Sequence, residues 1–136
     1  MVEMELSKIV IDEKRHDQLI VLKEKNGKRI LPIVIGLAEA SAIKIKISGL
    51  KTPRPLTHDL LHSAIEELEA SIEKIIIDKL EESTFHAKIV LKTSAGHTKV
   101  IDSRPSDSIA LAVRARAPIF VEDEILKRSE SFNQKK

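Results

Sequence analysis

The sequence contains no cysteine, no tryptophan and no tyrosine, and phenylalanine occurs only at Phe85, Phe120 and Phe132. Without thiols there can be no disulfide, no thiolate zinc site and no cysteine nucleophile. Single-strand binders hold bases on aromatic platforms. With 2% aromatic residues this chain cannot build a row of them, so it would have to meet a nucleic acid through phosphates and base edges. No apolar run approaches the length of a bilayer span. The acidic start, Met1-Val2-Glu3-Met4-Glu5, lacks the apolar stretch of a signal peptide, so the expected location is the cytoplasm, with no membrane partner. The zincin motif His-Glu-x-x-His, the Walker loop, the nucleophile elbow Gly-x-Ser-x-Gly and the dinucleotide fingerprint are all missing.

What is present suits one globular domain. The chain has 136 residues, 42% hydrophobic and 32% charged, with a formal net charge of only +2. The charges are unevenly placed. Residues 40–58 hold no acid, while Lys44, Lys46, Lys51 and Arg54 are basic. Over 59–82 the balance reverses, with Asp59, Glu66, Glu67, Glu69, Glu73, Asp78, Glu81 and Glu82 against Lys74 and Lys79. Most of these charges read as solvated faces, but a basic segment followed by an acidic one can give a two-faced surface.

An internal repeat organises the chain. Lys8-Ile9-Val10-Ile11-Asp12 recurs as Lys74-Ile75-Ile76-Ile77-Asp78, and Ile20-Val21-Leu22-Lys23 as Ile89-Val90-Leu91-Lys92. Gly27 matches Gly96, and Glu39-Ala40-Ser41 aligns loosely with Ser106-Asp107-Ser108. Each copy, about 6–48 and 72–116, reads as three strands and a helix. The strands are expected at 6–11, 18–24 and 29–35, then at 72–78, 85–93 and 99–102. Asn26-Gly27 carries the signature of a type I′ hairpin turn. The segment 37–48 is ambiguous, because Ile43, Ile45 and Ile47 alternate with Lys44 and Lys46 at strand period. The alanines before it and Gly49 after it favour helix. A loop and helix at 49–70 separate the copies, with Leu60, Leu61, Ala64, Ile65 and Leu68 on one apolar face. Residues 118–121 read as a strand, 122–128 as a short helix and 129–136 as a flexible tail. The expected fold is α+β, a duplicated β-β-β-α unit with a mixed or antiparallel sheet, forming a single domain over 1–128.

Three polar clusters stand at helix starts: Glu39; Arg54 with Thr57, His58 and Asp59; and Asp102 with Arg104, Pro105, Ser106 and Asp107. Singly, each reads as a cap. Thr57 suits an N-cap, Pro105 suits the first helical position, and a carboxylate suits the first turn. Together they offer free backbone N–H groups and forked guanidinium donors, a setting for phosphate.

At these clusters the sequence resembles the bifunctional nuclease domain family. The likeness is carried by Pro53-Arg54-Pro55-Leu56-Thr57-His58-Asp59, by Asp102-Ser103-Arg104-Pro105-Ser106-Asp107-Ser108, and by Leu31-Pro32-Ile33-Val34-Ile35-Gly36. It runs over roughly 5–126. The resemblance implies hydrolysis of both RNA and DNA. Because DNA has no 2′-OH, water must then be the nucleophile, activated by a base or a metal. Under that reading His58, Asp59, Asp102 and Asp107 are the expected catalytic residues. Arg54, Arg104 and Ser106 would hold phosphate, and Glu39, Asp102 and Asp107 would hold Mg²⁺ or Mn²⁺. Nucleic acid would bind weakly, and the chain is expected to form a homo-oligomer, a dimer by preference. The alternative is a non-catalytic oligomeric module that binds an anion or a partner.

Overall fold

β-Branched residues alternating with charged ones set the strands, and glycine, proline and polar breaks end them. The computed structural model describes residues 1–12, 14 and 17–134, with side chains described as far as Ser129. His16, read from the sequence as a surface or strand-face residue, and tail residues 135–136 lie outside the described residues. The first half comprises β1 (Val2–Val10), β2 (Asp17–Glu24), β3 (Ile30–Gly36) and α1 (Leu37–Ser48). After α2 (Thr57–Glu67) the second half lays down β4 (Ser71–Glu81), β5 (Thr84–Lys92), β6 (Thr98–Ser103) and α3 (Pro105–Ala115). The short β7 (Ile119–Val121) and α4 (Asp123–Gln134) complete the described chain.

The α+β expectation holds. The strands form one mixed sheet, ordered β3-β2-β1-β7-β4-β5-β6. Every pairing is antiparallel except that of β4 with β7. The repeat seen in the sequence has a counterpart in the pairing. Leu6 faces Leu22 and Lys8 faces Val21, with a register shift between Leu6 and Lys8. Ile72 faces Leu91 and Lys74 faces Val90, with a shift between Ile72 and Lys74. Matched residues thus keep matched partners, and the bulge falls at the same place in both halves.

The segment 37–48 is helix, and its burial explains the ambiguity. Only Ala40 and Ile43, three apart, are buried, while Lys44 and Lys46 lie in solvent and Ile47 is largely exposed. Gly49, at φ 77°, ends the helix in the left-handed region. In the second half, α3 is the central helix. Ile109 and Leu111 have no exposed surface, and each contributes roughly 2 kcal/mol by burial. Around α3 pack α1, α2, β4 and β5.

Three local expectations are corrected. Asn26-Gly27 does not form a type I′ turn, for neither residue has positive φ. The connection spans the residues between Glu24 and Ile30, closed by the Glu24 N–H donating to the Arg29 carbonyl at 2.9 Å. The Glu24 carboxylate accepts the Arg29 N–H at 3.1 Å and lies where a Gly27 side chain would stand. The type I′ geometry occurs instead at Glu82 (φ 51°) and Ser83 (φ 64°), between the paired Glu81 and Thr84. Second, α2 buries no residue. Leu60 and Leu68 are 64% and 81% exposed, Leu61 and Ala64 are exposed as well, and of the expected apolar face only Ile65 packs against the core. Third, the last helix does not stop at 128. α4 continues to Gln134 and anchors on the core through Ile125 and Leu126.

Candidate active site

The sheet curls until the ends of its two edge strands lie close together. β3 leads directly into α1 and β6 leads into α3, so both helices begin at the same end of the molecule. The start of α2 joins them. A groove of about 390 Å³ results, lined by Ala38 and Glu39 of α1, by Leu56, Thr57 and His58 at the head of α2, and by Arg104 and Asp107 at the head of α3. Each helix carries its first-turn acid at the third position: Glu39, Asp59 and Asp107. Carboxylates there offset the exposed N–H groups of a helix start. The match between halves is therefore Glu39 with Asp107, one residue away from the loose sequence alignment. Thr57 proves to be the first helical residue rather than the cap. Leu56 takes the cap position, and its N–H donates to Asp59 Oδ2 at 2.9 Å.

His58, Asp107, Arg104 and Glu39 form a connected set. His58 Nε2 lies 2.9 Å from Asp107 Oδ1. Arg104 Nε donates to Asp107 Oδ2 at 3.0 Å, and its Nη1 stands 3.8 Å from Glu39 Oε1. Burial opposes the charge on Asp107. Hydrogen bonds from His58 and Arg104, with the positive guanidinium beside it, outweigh that and hold the carboxyl below the usual carboxylate range. The Asp107 bond raises the Arg104 pKa further, so the guanidinium stays charged. In neutral imidazole the ring nitrogen facing a carboxylate carries the proton, so Nε2–H donates to Asp107 and Nδ1 keeps a lone pair. Among the described residues Nδ1 has no hydrogen-bond partner. The Arg104 side chain remains 69% exposed, leaving its outer edge open to an anion.

Other expected site residues lie elsewhere. Asp59 turns away from His58 into the body of the protein, where Arg114 Nε donates to its Oδ1 at 2.7 Å. The Leu56 N–H and then Arg114 hold its carboxyl below the usual range, against some desolvation. Asp102 is exposed and bonded to Lys88 Nζ at 2.8 Å, which lowers its pKa. Arg54 lines a separate groove beside the first. Ser106 is buried and borders the cavity on the far side of Arg104, shared with Glu39, Phe85 and the ends of β3.

Sequence reasoning missed Arg114. It is the buried charge that orders this region, with Nη1 donating to the Ala110 carbonyl at 2.9 Å and Nη2 to the Ala42 carbonyl at 3.5 Å. A signal existed. Asp107 and Arg114 are seven residues apart on α3, two turns along one face, and they meet the consecutive residues His58 and Asp59 of α2.

The expected metal ligands do not gather. Asp102 is taken by Lys88, and both Asp107 oxygens are engaged by His58 and Arg104. Among the described residues no group of three His, Asp or Glu is placed to hold a cation. Hard divalent ions need several carboxylate or carbonyl oxygens at once, and Glu39, Asp102 and Asp107 do not supply them as one set.

The comparisons with known proteins agree with the resemblance read from these clusters. The bifunctional nuclease domain matches residues 20–134, and the chain belongs to that family. An uncharacterised protein of Mycobacterium tuberculosis is 37% identical over 129 residues, covering 95% of this chain and 76% of the relative. Bifunctional nuclease 2 of Oryza sativa subsp. japonica is 28% identical over 114 residues, 82% of this chain but 35% of the plant protein. Bifunctional nuclease 1 of Arabidopsis thaliana is 24% identical over 105 residues, 75% of this chain and 32% of the relative.

Proposed function

We propose that this domain hydrolyses phosphodiester bonds in RNA and DNA in the groove where α1, α2 and α3 begin. One observation carries the reading. A histidine fixed by an ionised aspartate, with its other nitrogen free, stands beside an arginine whose outer edge is open. Family membership and the plant relatives named as bifunctional nucleases supply the substrate class.

The chemistry follows from the geometry. Asp107 orients the His58 ring and stabilises it when it becomes positive. His58 Nδ1 accepts a proton from the attacking water, and the leaving oxygen, in line on the opposite side of the phosphorus, takes its proton from solvent. Arg104 and the unpaired N–H groups at the helix starts face the charge that builds on the phosphoryl oxygens. Glu39 holds the other side of Arg104 and so positions it. Because the residues expected to bind Mg²⁺ or Mn²⁺ are not grouped, no step is assigned to a metal.

The test is cleavage of labelled single- and double-stranded RNA and DNA, with Mg²⁺, Mn²⁺ or EDTA, beside an identically purified Asp107→Asn variant. The expected result is a turnover in the variant lower by about 10²- to 10⁴-fold, because the amide no longer fixes the His58 tautomer that leaves Nδ1 free as the base, with a cooperative fold retained in thermal unfolding. Equal cutting by both proteins would overturn the assignment. Absence of cutting under every condition would leave an anion-binding module.

A further inference from the structure

Next to the proposed active groove lies a second one of about 390 Å³, between the C-terminal half of α1 and the loop ahead of α2. The two grooves share Ile45 and Leu56 as a common apolar rim. The second carries Lys46, Lys51 and Arg54, all exposed. Asp59 is its single acid, and that carboxylate is already bound by Arg114 and the Leu56 N–H. Among the described residues Lys46, Lys51 and Arg54 form no ion pair. The net field there is positive, although the whole chain is nearly neutral.

We infer that this groove holds the phosphate next to the scissile one, so that the substrate is an oligonucleotide strand rather than an isolated phosphodiester. This inference rests on the nuclease reading of the adjoining site. A molecule filling both grooves needs one anionic group at Arg104 and His58 and another at the lysines, joined by a segment that crosses the apolar rim. Successive phosphates of a nucleotide chain, with a sugar between them, have that form. The groove makes no base-specific demand, which suits a domain with almost no aromatic residues and a substrate range spanning RNA and DNA. Lys46 also sits in the last turn of α1, where a cation steadies the helix, so part of its role is structural.

The experiment uses two probes on the full chain. Binding of a short single-stranded oligonucleotide with non-cleavable linkages reads the lysine groove, and hydrolysis of bis(p-nitrophenyl) phosphate reads the His58–Arg104 site alone. The variant is Lys46→Gln with Lys51→Gln, checked by thermal unfolding, beside the charge-keeping Lys46→Arg with Lys51→Arg. Expected are an oligonucleotide affinity about tenfold weaker and a log–log salt slope shallower by about 0.7, the value for one single-strand phosphate no longer neutralised. The arginine variant should retain wild-type affinity, and small-diester turnover should not change with either pair. An unchanged affinity and slope in the glutamine variant would overturn the inference while leaving the hydrolytic site intact, as would a wild-type protein that binds no oligonucleotide at low salt. Weakened binding in the glutamine variant, together with no small-diester hydrolysis by the wild type, would support the groove and overturn the nuclease reading.

Discussion

At the scale of single residues, the Asp59–Arg114 pair decides how α2 is held. The Arg114 side chain is 2% exposed, so removal of its carboxylate partner strands a charge in the interior. Asp59→Ala is expected to lower stability by about 3 kcal/mol, the cost of breaking a buried pair from one side. Arg114→Met should cost less, because Asp59 keeps the Leu56 N–H and some solvent, and the double variant should recover part of the loss. Urea denaturation of the four proteins gives the coupling directly. Acid adds a second test. Asp59 and Asp107 titrate below their unfolded value of about 3.9. The stability they contribute is therefore complete above that value and is lost as the pH falls towards their folded values. The gap between wild type and Asp59→Asn should be widest near neutrality and narrow as the pH falls below the unfolded value of about 3.9. A gap that stayed constant with pH would show that the ionised form carries no advantage. From sequence, the clusters at helix starts were legible because helix-start chemistry is local. Which acids met which partners was not, since Asp59 and Asp107 are chosen by residues 55 and 49 positions away.

At the scale of elements, turns and faces separate what propensity dictates from what packing overrides. Asn26-Gly27 is the strongest turn signal in the chain, yet Glu24 reshapes that loop through its own carboxylate. Glu82 and Ser83 take the left-handed conformation without being the residue types that favour it. The double substitution Glu82→Asn with Ser83→Gly should raise stability by about 0.5–1 kcal/mol, read from the urea midpoint. Gly36→Ala makes the opposite kind of probe. The glycine has an ordinary φ of −77°, so alanine suits the backbone, but its methyl would occupy the place of the Glu39 carboxylate. Thermal unfolding should barely shift, while cleavage falls because Arg104 loses the group on its far side. Helix α2 shows why its apolar leucines misled. The helix is placed by His58 and Asp59 reaching α3, with Ile65 beneath it, and its leucines face outward. Its amides should exchange with deuterium well before those of the buried α3, and Asp59→Ala should widen that difference.

At the scale of the whole molecule, the repeat made most of the architecture readable. Two runs of similar sequence predict two similar three-strand units, and the strands fell within a few residues of expectation. The way the units join was not readable, because β7 is three residues long and its neighbours lie far away in sequence. That joint has a consequence for how the chain is made. β1 occupies the first ten residues, yet its outer edge stays unpaired until Ile119–Val121 arrive to sit between it and β4. A chain emerging from the ribosome therefore carries the open edge of β1 until residue 119 is made, joined by that of β4 once residue 81 is made, and such edges invite pairing with other copies. Nascent chains arrested just before residue 119 should associate or recruit chaperones, and those released beyond the last β7 residue should not. Ribosome-bound chains of graded length, assayed for protease resistance, would locate that closing step. Protection that appeared well before β7 had left the exit tunnel would show that the two halves join without it.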